Sequence, residues 1–379
     1  MQTWCRRCYS FLPAIFFAIF FYHTPAAHAA VPDQTGAPSV MAEAAVLLDA
    51  RTGQILFDKN ARQRRPPAST TKIMTALLAL EGGDLRQMVT VSPRAASVGE
   101  ASLDLKVGET LTLEELIYGA LLRSGNDACV AIAEHIGGTE SNFVLLMNQK
   151  AKMLGVEDTS FKNTNGLPST GHYTTARDLA VLTRYALSNP SFQKIVSTRG
   201  KLIGGQDERY LNNTNRLLWS YAWADGVKTG STNEAGGCLV ASATRDGRQL
   251  ISVVLHSDNR WRDSIKLLDY GFKDFRYVRV LGDGETFETI MVKEGLGKEI
   301  LAVASTELGA VIPLDKPGYL EKKVFIERDL TAPVLKGQPV GRVTVTVKGV
   351  VTGSIDLVSD RSIEKLPAYQ LLWKKMRIF

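Results

Sequence analysis

The sequence predicts an α+β fold in which helices pack on an antiparallel sheet, followed by a small all-β domain and a C-terminal amphipathic helix. Three observations predict this order. Apolar residues recur at helical spacing between residues 70 and 188, strand-like segments with short turns follow, and helical periodicity is absent from residue 279 to about residue 360. A chain of 379 residues, 45% of them hydrophobic, is long enough for one large and one smaller domain.

Residues 1–29 have the pattern of a secretory signal peptide. Arg6 and Arg7 precede the apolar run FLPAIFFAIFFY, and the small-residue sequence AHA ends at Ala29. The alternative is a membrane-spanning anchor, which needs about 20 apolar residues, and this run is shorter. We therefore expect the signal segment to be cleaved and the protein to be exported.

The large domain, residues 30–278, is predicted to begin with two strands, AAVLLD and QILFD, about a turn at Thr52-Gly53. Helices follow, several of them closed by glycine, and one begins with a capping box formed by Thr112 and Glu115. In chain order the predicted helices are TTKIMTALLALEGG, TLTLEELIYGALLRSGN, NDACVAIAEHIGG, ESNFVLLMNQKAKMLG and TTARDLAVLTRYALS.

Further strands are predicted after these helices. The segments ADGVKTG, GGCLVASATRDG and RQLISVVLH read as successive strands, with Asp246-Gly247 as a hairpin turn. RWRDSIKLLDYGF returns to helical periodicity, and the domain is expected to end near Tyr277. From residue 279 to residue 360, segments such as GRVTVTVKGVV alternate as strands do, which predicts a small all-β domain.

The last segment, residues 361–379, is predicted to form an amphipathic helix. Pro367 suits the first turn, and at 1.5 Å per residue the helix would be roughly 20 Å long, too short to span a bilayer. The basic residues Lys374, Lys375 and Arg377 lie off its apolar face, so the helix can lie in the plane of lipid headgroups. The alternative is a terminal helix docked on the β domain. The apolar face comprises Tyr369, Leu372, Trp373, Met376 and Phe379.

Net charge and cysteine content argue against some classes of partner and site. Of the net charge of +6, Arg6 and Arg7 carry two and residues 361–379 a net four, so the body of the chain is neutral. A neutral body argues against a nucleic-acid partner. Cys129 and Cys238 lie far apart in apolar stretches, which predicts buried thiols rather than a disulfide framework or metal ligands.

Three short motifs supply candidate catalytic residues. Ser69 lies three positions before Lys72 at a helix start, so the amine can reach the hydroxyl. Ser124 and Asn126 lie in a turn between two helices, from which side chains can project into a cleft. Residues 228–230, Lys-Thr-Gly, begin a strand, and the glycine allows a ligand to approach the backbone.

The spacing of one motif alone is not specific. Ser-x-x-Lys also occurs at Ser191 and at Ser362, and Ser-x-Asn recurs at Ser257, after Lys-Thr-Gly rather than before it. Lys-Thr-Gly occurs once. The informative signal is therefore the ordered set of three motifs.

In this order the motifs resemble those of the penicillin-recognising serine enzymes, which include penicillin-binding proteins and class A β-lactamases. The strings PASTTKIMTALLALE, LLRSGNDACVAIAEHIGG and ADGVKTGSTNEAGGCLVASATRDG resemble specifically the serine D-alanyl-D-alanine carboxypeptidases, the low-molecular-mass penicillin-binding proteins. The resemblance covers residues 42–272, and the β domain and tail are similar to that family's layout. It implies a β-lactamase/transpeptidase-like domain and acyl transfer on the peptidoglycan stem peptide.

The resemblance also implies catalytic roles. Ser69 would attack the carbonyl between two D-alanines, and water would hydrolyse the acyl-enzyme. Lys72 can serve as the base only if its pKa is depressed, which burial and the nearby Lys228 would favour. Ser124 could relay a proton to the leaving amine, and Asn126 could hold the substrate amide.

Binding roles follow from the same resemblance. Backbone N–H groups of Ser69 and Ser231 would form the oxyanion hole. Lys228 and Thr229 would face the substrate carboxylate. Gly230 and Ser231, which follow them in the chain, are also expected to bind the substrate. Arg260 is expected to be a further residue that binds the substrate carboxylate, and Arg262 is the rival position. The alternative is that the arginine is solvated at the start of a helix and binds no substrate.

The implied partners are peptidoglycan pentapeptides ending in D-Ala-D-Ala, β-lactam antibiotics and, through the tail, a membrane surface. The expected location is the outer face of the cytoplasmic membrane, in the periplasm or cell wall space. No cofactor or metal is expected, because His135, His172 and His256 are scattered without ligand spacing.

The same motifs admit two rival functions. A class A β-lactamase needs a glutamate, commonly within Glu-x-x-Leu-Asn, and that string occurs from Glu208, but just before Lys228 rather than close after Ser-x-Asn. The second rival, a catalytically silent penicillin- or wall-binding module, gains no support because every motif residue is intact. At two positions this sequence differs from some members of the family. Thr214 stands where they have an arginine, although Arg216 follows two places on, and Asn165 stands where they have a histidine.

Overall fold

The computed structural model describes residues 36–204 and 207–371. The predicted signal segment, residues 1–29, lies outside the described residues. The strands of the first part are β1 (Ala44–Asp49), β2 (Ile55–Lys59), β3 (Met88–Thr90), β4 (Thr110–Thr112), β5 (Gly200–Ile203), β6 (Arg209–Asn212), β7 (Ala224–Thr232), β8 (Gly236–Arg245) and β9 (Arg248–Leu255).

Helices surround these strands, together with two short irregular turns. The turns are a 3₁₀ turn (Ala68–Thr71) and a π-helical turn (Gly119–Arg123). The helices are α1 (Lys72–Gly82), α2 (Pro93–Ala96), α3 (Leu113–Tyr118), α4 (Asn126–Gly137), α5 (Glu140–Met153), α6 (Ala176–Leu187), α7 (Pro190–Ser197), α8 (Leu217–Ser220) and α9 (Arg260–Asp274).

The central sheet is antiparallel, as predicted, with the order β2-β1-β9-β8-β7. The hairpin between β8 and β9 turns at Asp246 and Gly247, which both have positive φ, 51° and 76°. Two central residues with positive φ are typical of the tight turn whose twist matches that of the paired strands. The Asp-Gly dipeptide therefore fixes the register of the two central strands.

Both faces of this sheet are buried. Val46, Leu48 and Val253 pack on one side with the core of α1, α4 and α6, whereas Leu47 and Val254 pack on the other side with α9. Side chains of a strand alternate between the two faces. Because each face carries helices, β1 is apolar and buried along most of its length, and the helices hold the sheet as the middle layer.

Most of these helices begin with a side-chain cap. The capping box of Thr112 and Glu115 is confirmed, with both reciprocal hydrogen bonds present. The segment TLTLEELIYGALLRSGN, however, is not one helix. It divides into β4, α3 and the π-helical turn, because backbone pairing of Met88 with Thr112 draws its first residues into a strand. The hairpin of β5 with β6 and the helix α7 were not predicted.

The all-β character of the C-terminal part is confirmed. One pair of strands, β10 with β13, lies beside a six-stranded sheet of order β14-β16-β17-β12-β11-β15, and they share an apolar core that includes Ile300, Val343 and Leu357. The strands are β10 (Phe275–Leu281), β11 (Thr286–Lys293), β12 (Glu299–Ala304), β13 (Leu308–Pro313), β14 (Leu320–Ile326), β15 (Leu330–Thr331), β16 (Pro339–Val347) and β17 (Val350–Ser359).

The two parts contact each other through polar groups. The amide of Gln54 donates to the backbone oxygen of Val311 at 3.0 Å and accepts from its N–H at 2.6 Å. Arg51 and Glu307 form an ion pair at 2.5 Å, and the Tyr277 hydroxyl donates to the same carboxylate. These contacts join the hairpin of β1 and β2 to the strand pair of β10 and β13.

The predicted amphipathic helix falls largely outside the described residues. Residues 368–371 are helical, and residues 372–379, which carry most of its apolar and basic side chains, are not described. Among the described residues, no helix combines the length and apolarity needed to cross a bilayer.

Replacing Asp263 with alanine should lower the free energy of unfolding by about 1–3 kcal/mol, because its buried carboxylate accepts three hydrogen bonds that would lose their acceptor. The donors are the N–H groups of Met41 (3.0 Å) and Ala42 (2.8 Å) and the Ser257 hydroxyl (2.7 Å). Urea unfolding measures the change. The matched control is the exposed Asp258, whose replacement should leave the midpoint unchanged. Equal midpoints for both variants would contradict this assignment.

Candidate active site

The three motifs meet at one place. Ser69 lies in the 3₁₀ turn before α1, Ser124 and Asn126 lie where the π-helical turn meets α4, and residues 228–230 lie in β7. Hydrogen bonds connect these elements across more than 100 residues of chain. The site is therefore built at the edge strand of the sheet from three separate segments.

Lys72 lies at the centre of this group. Its Nζ donates to Ser69 Oγ at 2.9 Å, to Asn126 Oδ1 at 2.8 Å and to the backbone oxygen of Asn165 at 2.6 Å. The side chain is fully buried, and burial lowers the pKa of the amine to about 8. Burial favours the neutral form of an amine, which can accept a proton. The base-competent form of Lys72 is thus accessible near neutral pH.

Lys228 is a second buried amine. It donates to Ser124 Oγ at 3.1 Å and to the backbone oxygen of Thr229 at 2.9 Å. Burial, together with the positive charge of Lys72, holds the pKa of Lys228 well below its usual value. A proton on this amine is therefore easily transferred to a neighbouring hydroxyl.

Ser124 has an unusual backbone conformation. Its φ of 68° and ψ of 29° lie in the left-handed region, which costs a residue with a Cβ roughly 1 kcal/mol or more. The π-helical turn ends at this residue, and Gly125 follows, where a Cβ would lie 2.8 Å from Leu103 Cγ. The turn directs the serine hydroxyl toward Lys228. Strained conformations of this kind are common at functional sites.

Asn126 has both ends of its amide in use. Its Oδ1 accepts from Lys72, and its Nδ2 donates to the backbone oxygen of Gly99 at 3.1 Å. An amide nitrogen carries two hydrogens. The second one is available for a carbonyl oxygen of a bound ligand.

Two glycines allow the backbone to pack closely on the turn that carries Ser69. A Cβ on Gly230 would lie 3.0 Å from the backbone nitrogen of Ser69 and 3.1 Å from the Cβ of Ala68. A Cβ on Gly166, whose φ is +90°, would lie 1.9 Å from the backbone oxygen of Ala68. Any side chain at Gly166 would displace the turn, so the glycine is required there. The loop of Asn165 and strand β7 together hold Ser69 from two sides.

His172 supports the same turn and was missed as a site residue by sequence reasoning, which considered it only as a metal ligand. Its Nδ1 accepts from the N–H of Lys162 at 3.2 Å, so Nε2 carries the hydrogen and donates to Thr71 Oγ1 at 3.0 Å. Thr71 in turn donates to the backbone oxygen of Ala68 at 2.9 Å. Burial lowers the pKa of His172 to about 4, so the imidazole is neutral at physiological pH.

Arg260, rather than Arg262, lies beside β7. Its guanidinium donates to the backbone oxygens of Gly230 (2.5 Å) and Cys238 (3.3 Å), and burial lowers its pKa. Arg262 is exposed. The ordered arginine at the start of α9 therefore faces the Lys-Thr-Gly strand.

The contacts and exposure of the other residues named from the sequence are as follows. Thr229 and Thr214 exchange a hydrogen bond between their hydroxyls at 2.8 Å, and Ser231 is an exposed residue of β7 directly after Gly230. Glu208 is exposed and makes no hydrogen bond or ion pair within residues 36–204 and 207–371. Cys129 and Cys238 are buried free thiols, as predicted.

Comparison with known proteins gives consistent matches along the chain. Residues 31–259 match the family described as D-alanyl-D-alanine carboxypeptidase (Peptidase_S11), and residues 275–365 match the penicillin-binding protein 5 C-terminal domain. The chain is 36% identical over 338 residues to D-alanyl-D-alanine carboxypeptidase DacF of Bacillus subtilis, covering 86% of each chain. It is 35% identical over 373 residues to DacC of Escherichia coli, covering 94% of this chain and 92% of that one.

Solved structures are similar as well. Penicillin-binding protein 5 from Haemophilus influenzae superposes with a TM-score of 0.78 at 32% identity, over 86% of this chain and 99% of that chain. A variant of the Streptomyces K15 DD-transpeptidase superposes with a TM-score of 0.60 at 34% identity, over 62% of this chain and 99% of that chain.

Proposed function

Because this chain belongs to the D-alanyl-D-alanine carboxypeptidase family and is a serine-type D,D-carboxypeptidase, we propose that Ser69 is the nucleophile with which it removes the terminal D-alanine from peptidoglycan stem peptides. One observation carries the assignment. Lys72 Nζ lies 2.9 Å from Ser69 Oγ, fully buried, with a pKa lowered to about 8. A serine hydroxyl becomes an effective nucleophile when an adjacent group removes its proton.

In the acylation step, neutral Lys72 accepts the proton of Ser69 as Oγ attacks the carbonyl carbon between the two D-alanines. The oxyanion that forms is stabilised by the N–H groups of Ser69 and Ser231, each worth about 3 kcal/mol. Gly230 supports this arrangement, because only a residue without a Cβ leaves the Ser69 N–H this close to β7. The product of attack is a tetrahedral intermediate bonded to Ser69.

Breakdown of the intermediate requires a proton on the leaving amine. Ser124 donates its hydroxyl proton to the nitrogen of the terminal D-alanine and is reprotonated by Lys228, which lies 3.1 Å away. The C–N bond breaks and D-alanine leaves. Before deacylation, Lys72 loses the proton it took from Ser69 and Lys228 regains one, by exchange with solvent. Water then attacks the acyl carbon while neutral Lys72 accepts its proton and passes it to Ser69 Oγ as the C–O bond breaks, which releases Ser69 and the shortened peptide.

Recognition of a free carboxyl terminus rests on cations at one end of the site. Lys228, Thr229 and Arg260 would bind the terminal carboxylate, and the two positive charges would compensate it. Arg260 is the better candidate than Arg262, since its guanidinium is held on the backbone oxygen of Gly230. Asn126 would donate its second Nδ2 hydrogen to the carbonyl oxygen of the substrate's amide. A β-lactam mimics this substrate and acylates Ser69.

The rival functions gain no support. Fast β-lactam hydrolysis needs a carboxylate that activates water, and Glu208, the residue of the matching string, is exposed and unpaired within the described residues. A silent binding module would not need a base-competent lysine beside an intact serine. We therefore retain the carboxypeptidase.

We also propose the location and the division of the chain. Residues 1–29 would be a cleaved signal peptide, residues 30–278 the catalytic domain, residues 279–360 the β-rich domain, and residues 361–379 a membrane-associating helix. The net four positive charges of residues 361–379 support binding to anionic lipids at the outer face of the cytoplasmic membrane.

Replacing Ser69 with alanine should abolish both covalent labelling by benzylpenicillin and release of D-alanine from a peptide ending in D-Ala-D-Ala, because both reactions need its Oγ. Intact mass spectrometry should show one adduct on the unmodified protein and none on the variant. The matched control is Ser191→Ala, which alters the other Ser-x-x-Lys pattern within the same domain and should leave both activities intact.

Other outcomes of this paired assay point to the rivals. An adduct that persists in Ser69→Ala would show that another residue is the nucleophile. An adduct without D-alanine release favours the silent module, and rapid turnover of penicillin favours the β-lactamase.

The rate of acylation should rise with pH and level off above about 8, because only the neutral amine of Lys72 accepts the Ser69 proton and burial lowers its pKa to about 8. The second-order rate constant for benzylpenicillin, measured from neutral to alkaline pH, gives the midpoint. In His172→Gln the midpoint should stay the same, since burial lowers the pKa of His172 to about 4, far from this range. A midpoint that disappears with the imidazole would assign the base to histidine.

Deleting residues 367–379 should move the protein from the membrane fraction to the soluble fraction while D-alanine release continues, because the tail lies outside the catalytic domain. A second variant, in which Lys374, Lys375 and Arg377 are replaced by glutamine, removes the positive charge but keeps the apolar face. It therefore separates the contribution of charge to membrane binding from that of apolar contact. If the truncated protein stays in the membrane fraction, the tail is not the anchor and the docked-helix alternative stands.

A further inference from the structure

A cleft of about 640 Å³ lies in the β-rich domain, where the chain passes from β17 into residues 361–379. It is lined by Met291, residues 296–299 and residues 361–364. The first two sets belong to β11, to β12 and to the turn that joins them, and the third leads to Pro367, where the amphipathic helix is predicted to begin. The cleft therefore adjoins the segment proposed to bind a membrane.

The turn between β11 and β12, residues 294–298, is fastened to the start of this segment by backbone hydrogen bonds. The N–H of Leu296 donates to the backbone oxygen of Glu364 at 2.8 Å. The N–H of Leu366 donates to the backbone oxygen of Glu294, also at 2.8 Å, and Lys365 forms an ion pair with Glu294 at 3.2 Å. The turn and the beginning of the C-terminal segment are thus held together as one unit.

Close packing supports the same connection. The side chain of Ile363 is buried between the two strands of chain. A Cβ on Gly295 would lie 2.5 Å from Ile363 Cγ2, and a Cβ on Gly297 would lie 3.2 Å from Ile363 Cδ1. The two glycines let the turn pack directly on Ile363, so the turn cannot move away without carrying the segment with it.

Two large apolar side chains of this unit are exposed to solvent. Met291 on β11 is 59% exposed and Leu296 in the turn is 58% exposed, and both line the cleft. Ile290 and Val292, the neighbours of Met291 in β11, are buried in the core of the β-rich domain. Met291 therefore points to the opposite face of the strand. Apolar groups that share a cleft and have water as their surroundings favour a partner that removes them from it.

Leu296 lies close to the start of the C-terminal helix. It is hydrogen-bonded to Glu364, three residues before Pro367, and three residues of extended chain span at most about 11 Å. An amphipathic helix in the headgroup plane buries its apolar face by about 5–10 Å. Because these lengths are similar, a lipid surface that takes up the start of the helix is within reach of the Leu296 side chain.

The charges around the cleft indicate an apolar contact. The charged residues that line it are two cations and two anions, Lys298, Arg361, Glu299 and Glu364, and Arg361 is paired with Asp360 at 2.6 Å. These residues therefore provide no excess of positive charge. Attraction to anionic lipids would come from the basic residues of the C-terminal segment, and the cleft would contribute burial of apolar surface.

We propose that the turn between β11 and β12 is a second membrane contact, which places Met291 and Leu296 in the lipid surface beside the C-terminal helix. This inference rests on the membrane association proposed above for residues 361–379 and adds a phospholipid-binding surface on the β-rich domain. A single helix would leave the domain free to rotate about one attachment point. Two contacts joined by a fixed turn hold the domain in one orientation on the membrane.

The test measures binding of the full-length protein to phosphatidylcholine vesicles, with and without phosphatidylglycerol, by sedimentation. Replacing Met291 and Leu296 together with serine should weaken binding roughly five- to tenfold, because the variant buries less apolar surface. The matched control is Phe325→Ser, which should leave binding unchanged. Phe325 is 66% exposed on β14, four strand spacings or about 19 Å from β11 in the same sheet. All variants should release D-alanine at the same rate.

Salt separates the two contacts. Apolar burial is not screened, so the factor lost in the double serine variant should be the same at low and at high salt, and with or without phosphatidylglycerol. The factor lost when Lys374, Lys375 and Arg377 are replaced by glutamine should instead decrease as salt is added. A loss in the double serine variant that also decreases with salt would overturn the assignment to apolar contact.

The remaining outcomes separate this inference from the proposal on which it rests. Unchanged binding of the double serine variant overturns the inference and leaves the C-terminal helix as the membrane anchor. Stronger binding also overturns it, because the cleft would then hold the C-terminal segment itself, as in the docked-helix alternative. An equal loss in Phe325→Ser would show that the effect is not specific to the turn. Failure of the unmodified protein to bind vesicles overturns the membrane association and the inference together, while D-alanine release by that protein leaves the carboxypeptidase standing.

Discussion

The burial of two lysine amines in one site is the constraint on which the rest of this structure depends. Lys72 and Lys228 are both removed from water, and neither forms a direct ion pair with a carboxylate in the described part of the chain. Neutral oxygens satisfy their hydrogens instead. Uncompensated burial disfavours the charged form. The oxygens therefore keep the amines in place, while burial lowers their pKa values enough for proton transfer.

The need for these oxygen acceptors explains why the backbone near the two amines departs from regular helix geometry. The π-helical turn and the left-handed Ser124 bring a hydroxyl to Lys228, and the start of α4 brings Asn126 to Lys72. The loop at Asn165 contributes a backbone oxygen, which any residue type could supply. The side chain of Asn165 therefore takes no part in this contact with Lys72. Gly166 makes this loop possible, because a Cβ there would collide with the turn of Ser69.

The site is asymmetric along β7, and this asymmetry matches a peptide with a charged end. Arg260 provides positive charge beside Gly230, at the end proposed to hold the carboxylate. The neutral middle, with Gly230 and Ser231, is suited to the amide that reacts.

The sequence by itself determined the features whose signals lie between near neighbours in the chain. The Thr112 capping box, the Asp246-Gly247 hairpin and the approach of Lys72 to Ser69 all depend on residues a few positions apart. The strand character of the segments in the sheet and in the C-terminal part is likewise visible as local alternation of apolar residues. Tertiary structure alone decided the contact of Arg260 with the backbone oxygen of Gly230, the bond from His172 to Thr71 and the backbone oxygen that Asn165 offers to Lys72. These contacts join segments separated by about 30 to 101 residues, and which atoms meet depends on how helices and strands pack, information that no local pattern of residues carries.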